Sequence, residues 1–193
     1  MGMVLAVPLG IPRHSAVVEP YDPNWPVLFA DERRRIVEAV GHIVAGVHHV
    51  GSTSIPGMAA KPILDIAVLL HEFEDGERCI EPLENIGYVH KGVDEVDIPG
   101  DRFFLRGHPP QESCSDGEVI RTHILHMYTL DSPIRRDHFA FRDYLIAHPE
   151  VAAEYARLKL ALADKHSDDR TAYSAGKGSF IKKVIAKAAG EIE

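Results

Sequence analysis

Hydrophobic positions along the chain change their spacing several times, and each change marks a new element. From Trp25 to Val40 apolar residues recur at helical intervals. Phe29, Ile36 and Val40 form one face, while Arg33, Arg34 and Arg35 make a solvated basic turn. The prolines of "VEPYDPNWP" end any extended segment and introduce this helix near Pro26. The spacing then shortens. "IVAGVHHV" and "PILDIAVLL" are rich in β-branched and aliphatic residues and read as two strands, joined by Gly-Ser-Thr-Ser and Pro-Gly turns.

Helical spacing returns in "GERCIEPLENIGYV", where Cys79, Ile80, Leu83 and Ile86 line up and Gly87 supplies the residue after the helix end. "YVHKGVDEVDIPGDRFFLRG" predicts a strand pair around a Pro-Gly-Asp turn, followed by the polar loop "HPPQESCSDGE" and the strand "IRTHILHMYTL". From Ser132 onward the pattern is helical. Ser132 is the N-cap with Pro133 behind it, Pro149 opens a second helix, and a third covers Thr171 to Ala189. The fold class is α/β in the α+β sense, with a mixed or antiparallel sheet and a C-terminal helical portion. Residues 1–17 read as an irregular arm, and 18–190 as a single domain.

Composition narrows the function without choosing it. A chain of 193 residues, 45% apolar, buries one substantial core. A formal charge of −8 argues against a broad electrostatic footprint for duplex nucleic acid, so a small or phosphorylated partner is expected. The two cysteines, Cys79 and Cys114, show no CxxC spacing, which indicates neither a zinc ribbon nor a disulfide framework and points to a reducing compartment. "MGMVLAVPLGIP" lacks a basic leader and is too short to span a bilayer. The expected location is cytoplasmic, without membrane.

The chemistry concentrates in "HHVGSTSIPGMAAKPILDIAVLL", residues 48–70. A single aspartate, Asp65, stands among Ile63, Leu64, Ile66 and Val68, where a buried carboxylate is costly without a cation or donors. Gly51 lets backbone N–H groups approach an anion, and Ser52, Thr53 and Ser54 add hydroxyls, a pattern that suits a phosphate cradle. A loop bonding its own backbone is the competing reading. Lys61 stands close enough in sequence to counter a phosphate charge. On the strand "RFFLRG", alternation sets Arg102 and Arg106 on one face with Phe104, leaving Phe103 and Leu105 for the core. Two guanidiniums on one face suit phosphate recognition, and a solvated outer face is the alternative.

Taken together, "EPYDPNWPVLFADE", "HHVGSTSIPGMAAKPILDI", "RFFLRG", "THILHMY", "FRDYLIAHPEVAAEYARLK" and "YSAGKGSFI" resemble the GrpB-like proteins over Val18 to Lys187. The Gly-Ser turn followed by an aspartate on the next strand resembles the wider nucleotidyltransferase superfamily, the fold shared with polymerase beta. The resemblance implies a nucleotidyltransferase-like mixed sheet flanked by helices, a nucleotide or phosphorylated ligand and magnesium-dependent transfer. It also implies a link to coenzyme A metabolism, because the family occurs fused to dephospho-CoA kinase. Within it, Asp65 matches the first metal carboxylate, but Ala67 stands where the second belongs. A two-metal site needs several negative ligands to hold its ions about 4 Å apart. Asp97 and Asp101 replace the missing one only if their hairpin folds back over the sheet, and otherwise are turn residues.

Histidines are numerous, 12 in all, but no clustered Cys/His motif supports a closed zinc site. His123 and His126, three apart on a strand, point to opposite faces. His126 matches the family's strand histidine, and His49 directly precedes the Gly-Ser turn. Either joins Asp65 as base, phosphate donor or metal ligand, or is a satisfied structural histidine. Lys177 matches a recurrent family lysine that could close the pocket. Two readings follow. One is a nucleotidyltransferase with Asp65, His126 and His49 at the reacting centre; the other is a non-catalytic nucleotide or anion-binding module that has lost its second carboxylate.

Overall fold

A computed structural model describes residues 8–12, 15–94, 101–108 and 120–190. Asp97, Cys114, the Pro-Gly turn and most of the polar loop lie outside these residues. The elements run β1 (Ile11–Pro12), α1 (Trp25–Val40), β2 (Gly46–Val50), β3 (Leu64–Leu70), α2 (Asp75–Asn85), β4 (Val89–Asp94), β5 (Asp101–His108) and β6 (Ile120–Thr129). Three helices follow: α3 (Pro133–Ala147), α4 (Pro149–Lys165) and α5 (Arg170–Ala188).

The strands form one six-stranded sheet in the order β2-β3-β6-β5-β4, with β1 added against the start of β6. Neighbouring pairs are antiparallel except β3 and β6, which run parallel, so the sheet is mixed as the sequence predicts. The predicted β2 and β3 are adjacent, with His49 opposite Ile66 and Val50 opposite Asp65. The N-terminal arm is not wholly irregular: Ile11 pairs with Arg121 and Pro12 with Ile120, and Gly10 donates to the Pro62 carbonyl. The short β1 carries no hydrophobic alternation long enough to announce it.

Alternation along the strands assigns each residue to one of two faces. One face carries Leu64, Ile66, Val68, Phe104, Leu125 and Met127, covered by Trp25, Ile36 and Val40 of α1 and Cys79 and Leu83 of α2. The other carries Asp65, Ala67, Leu69, Ile124, His126 and Tyr128, with Ile134 and Phe139 of α3 packed on its far half. A third cluster joins Ile55 and Met58, after the Gly-Ser turn, to Leu145, Tyr155 and Val184 of the helical portion. The C-terminal helices therefore grip the turn itself. Among the described residues no helix is long and apolar enough to cross a membrane.

On β5 the expected orientation is reversed. Phe104 is fully buried in the larger core, and Phe103 and Leu105 are the partly exposed residues. Arg102 and Arg106 do share a face with Phe104, but it is the face under α1 and α2. The sequence cannot rank two apolar faces of one strand; helix placement does.

Candidate functional site

Gly51 holds φ +67° and ψ −172°, a backbone region essentially closed to residues with a side chain. It also passes so close to β3 that a Cβ there would lie 2.2 Å from Asp65 Oδ2. The turn is shaped around the carboxylate. Residues Ser52–Ser54 then make one 3-10 turn, fixed by the Ser54 hydroxyl donating to the Gly51 carbonyl at 2.6 Å. The Thr53 hydroxyl donates to the Ile63 carbonyl at 3.2 Å and lies 2.9 Å from His49 Nε2. Of the three hydroxyls expected to bind phosphate, those of Thr53 and Ser54 hold the loop, and Ser52 is left on the cavity side beside Tyr155.

That cavity encloses about 150 Å³. Its floor is the Gly-Ser turn with Ile63, Asp65 and Ile124, and one wall comes from Ile11, Pro12 and Ser15. The remaining wall is helical: Lys159 of α4, and Arg170, Tyr173, Ser174 and Lys177 of α5. Among the described residues five cations, Lys61, Arg121, Lys159, Arg170 and Lys177, thus line the cavity with one carboxylate. Lys61 and Lys177 both lie on the Tyr173 ring, 4.1 and 4.6 Å from its centroid. Lys159 is buried, with its ammonium donating to the Ala59 carbonyl and 4.8 Å from the Tyr155 centroid.

No ion pair within 4.0 Å joins Asp65 to these lysines. Burial pushes the Asp65 carboxyl above its usual range, although His126, Lys177, Arg170 and Lys61 oppose the shift. The ammonium groups are under the converse stress. Burial, followed by the charges of Lys177 and Arg170, lowers Lys61 to about 7. Burial and Lys177 lower Lys159 to about 7, and Lys177 is also lowered, burial being the largest cause.

Three predicted site residues are elsewhere. His49 points to the opposite face, stacked on Phe29 at 4.5 Å, where burial and Arg142 hold it down at about 4. It does not converge with Asp65. Arg102 is buried against Glu77 and Phe73, and Arg106 pairs with Glu32 at 2.5 Å. Neither borders the cavity. His126 shares Asp65's face, and its Nδ1 hydrogen-bonds Asp101. His123, on the opposite face, is buried beside Thr122 and Glu32. Asp101, one of the two turn aspartates, is fully buried at the start of β5 and accepts from His126 and the Met127 N–H.

The arrangement of a Gly-Ser turn on a mixed sheet, closed by C-terminal helices, extends over almost the whole chain, and the family comparison covers the same extent. Residues 15–187 match the model of the family described as GrpB protein. The chain belongs to the GrpB family. It is 38% identical over 181 residues to UPF0157 protein YqkA of Bacillus subtilis, covering 94% of this chain and 49% of that protein. The crystal structure of conserved protein GrpB from Enterococcus faecalis matches with a TM-score of 0.78 at 34% identity, over 91% of this chain and 98% of that one. A dephospho-CoA kinase of Mycolicibacterium paratuberculosis is 27% identical over 92% of this chain and 47% of its own length. The chain therefore spans about half the length of YqkA and of that kinase.

In this GrpB-family cavity the donor set does not suit magnesium. Among the described residues Asp65 is the one carboxylate lining it, Ala67 offers no ligand, and Asp101 is committed to His126 and a backbone N–H. Among the described residues no group of three His, Cys, Asp or Glu is placed to share an ion. Five nearby cations disfavour a further one. The magnesium expected on Asp65 does not fit this donor set.

Sequence reading missed Arg121, Lys159, Arg170 and Tyr173. Two signals were present. Arg170, Tyr173, Ser174 and Lys177 fall at i, i+3, i+4 and i+7, one face of a helix. Lys159 lies four residues after Tyr155, on the apolar face of its helix, where a charge calls for a reason.

Proposed function

We propose that the cavity binds the phosphoryl group of a nucleotide or another phosphorylated small molecule. The observation that carries this is that, among the described residues, Lys61, Lys159 and Lys177 gather in one cleft around Asp65 and none of the three forms an ion pair with it. A phosphate dianion supplies charge-assisted hydrogen bonds to lysines whose protonation is otherwise suppressed by burial and by one another. A cavity of about 150 Å³ is large enough to admit a phosphoryl group. The remainder of the ligand extends through the mouth, so the pocket reads phosphate before it reads base or sugar.

A second reading, transfer of the bound group to a hydroxyl acceptor, is favoured by one feature. An anion pocket gains nothing from a carboxylate, yet Gly51 is bent to admit Asp65. With its carboxyl raised by burial, Asp65 suits proton handling better than a surface aspartate.

Calorimetry with inorganic phosphate, ATP and coenzyme A, each with and without magnesium, tests the first reading. Binding should be independent of magnesium, weaken about tenfold or more in Lys177→Ala, and hold or strengthen in Asp65→Asn. Absence of phosphate binding, or binding that needs magnesium and disappears in Asp65→Asn, would overturn it.

A further inference from the structure

Two lysines of the cavity share one aromatic ring. The ammonium nitrogens of Lys61 and Lys177 lie 4.1 and 4.6 Å from the Tyr173 centroid, and Lys159, 1% exposed, lines the same space from α4. Among the described residues none of the three forms an ion pair with Asp65, so like charge gathers here without a close contact to relieve it. Amines crowded in this way lose protons readily, and a neutral lysine adds to carbonyl carbons. We propose that Lys61 Nζ is a nucleophile and that the cavity takes a phosphorylated aldehyde, its phosphate held by Lys159 and Lys177 and its carbonyl carbon attacked by Lys61. The phosphate half rests on the phosphoryl-binding reading; the amine half stands on the lysine cluster.

Of the three amines, Lys61 is the one least held. Lys159 is also lowered to about 7, but its Nζ donates to the Ala59 carbonyl and packs on the Tyr155 ring, which fixes it in the wall. For Lys177 the attraction of Asp65 is the largest influence after burial, and it favours the ammonium. For Lys61 burial is followed by the charges of Lys177 and Arg170, against which Asp65 acts more weakly, and the outcome is about 7. Its hydrogen bond to the Ser15 carbonyl is long, at 3.4 Å. The groups facing it are Arg170, Tyr173 and Lys177 of α5, Lys159 of α4, Asp65 of β3 and Arg121 of β6.

In the step itself the Nζ lone pair bonds to the aldehyde carbon, the carbonyl π pair moves to oxygen, and one proton passes from nitrogen to that oxygen to give a carbinolamine. The hydroxyl then takes a second proton and leaves as water. The nitrogen pair forms the C=N bond, and the remaining N–H proton goes back to the donor. Amine and aldehyde thus give imine and water, with no further reactant. Asp65, lining the cavity with its carboxyl raised by burial, suits the lending and recovery of that proton, which gives a carboxylate a place in a pocket otherwise made for an anion.

The test treats the full chain with glyceraldehyde 3-phosphate, fixes the imine with sodium cyanoborohydride and locates the modified lysine by peptide mass mapping. In wild type near neutral pH, Lys61 should be captured about tenfold or more faster than the exposed Lys182 and Lys183, the contrast expected between an amine at about 7 and the reference lysine value of about 10.4. Inorganic phosphate at about ten times its Kd should slow this capture about tenfold by occupying the same site. Glyceraldehyde, which lacks the phosphate, should react with Lys61 more slowly. Lys61→Arg should lose the adduct yet keep phosphate binding in calorimetry, since a guanidinium stays charged. Capture of Lys61 no faster than of Lys182 and Lys183 overturns the inference, as does a first adduct on Lys159 or Lys177, or an adduct rate unchanged in Lys61→Arg. If calorimetry shows no phosphate binding and glyceraldehyde reacts as fast as its phosphate, the phosphoryl reading falls and the phosphorylated substrate with it, while selective capture at Lys61 still supports the amine.

Discussion

Two carboxylates lie on opposite sides of the same sheet, Asp65 on a strand and Glu32 on the helix α1 that covers the other face, and their surroundings could hardly differ more. Glu32, 5% exposed on the sheet-facing side of α1, accepts from the Tyr88 hydroxyl at 3.0 Å, Arg35 at 2.8 Å and Arg106 at 2.5 Å, with His123 at 4.0 Å. Burial alone would raise its carboxyl; His123, Arg106 and Arg35 more than offset this and hold it below the usual range. Asp65 has a comparable number of cations around it, yet no lysine of the cavity is within ion-pair distance and its carboxyl is raised. The difference teaches how to separate scaffold from site. A buried charge whose partners are all in contact serves the fold, whereas the three cavity lysines stand around Asp65 without an ion pair to it, the arrangement on which the proposed phosphoryl binding rests. Arg102 and Arg106 belong to the first kind, which is why two arginines on one strand misled the sequence reading.

The largest effect should come from breaking the satisfied side. Glu32→Ala strands Arg106 and Arg35 and is expected to cost about 3–5 kcal/mol in urea unfolding, the usual penalty for removing one partner of a buried ion network. A loss below about 1 kcal/mol, the scale of an exposed pair, would erase the contrast between the two faces.

Gly51→Ala comes next. It forces a side chain into a glycine-only backbone region, costing of order 1–3 kcal/mol, and also drives the methyl into Asp65. Combining it with Asp65→Ala should recover the part due to collision and leave the backbone part. If the double variant is as unstable as the sum of the two singles, the close approach is not what Gly51 serves.

Asp65→Asn should be the mildest, and of opposite sign to Glu32→Ala. A carboxyl whose folded pKa is raised costs stability at any pH above that value, so removing its charge should stabilise by roughly 0.5–2 kcal/mol at neutral pH. Destabilisation of more than 1 kcal/mol on that same scale would place Asp65 in the scaffold with Glu32.

A pH series sharpens the same comparison without mutation. Glu32, lowered from 4.5, contributes stability that is lost as pH falls through its folded pKa. Lys61 and Lys159, lowered from 10.5 to about 7, leave the unfolded chain holding more protons between those values. Stability of the ligand-free protein should therefore rise with pH from about 7 toward 10.5, and saturating phosphate should flatten that rise. A rise unaffected by bound phosphate would separate the lysines from the anion.

What could be read in advance follows from how local each signal is. Trp25–Val40 as a helix, β2 beside β3, the antiparallel pairing of β4 with β5 and the Gly-Ser turn before Asp65 all rest on spacing and turn residues within a few positions of one another. The Asp65 end of the site was legible for the same reason: an aspartate in an apolar strand is conspicuous wherever the strand goes. Lys159, Arg170 and Arg121 come from three separate elements, and no local pattern says that they meet. His49 failed because alternation fixes which residues share a face and leaves open which face is which.

The sequence by itself determined the order of elements, the need for glycine at 51 and the single carboxylate at 65, because these depend on backbone sterics and side-chain periodicity. Tertiary structure alone decided which charges are satisfied. It set α1 and α2 over Arg102, Arg106 and His49, brought α4 and α5 over the Gly-Ser turn to deliver Lys159, Arg170 and Lys177, and folded Asp101 against His126. Coulomb and desolvation energies depend on distances between residues far apart in the chain, such as Asp65 and Arg121, 56 positions on, or Asp65 and Arg170, 105 positions on, which packing sets and periodicity does not.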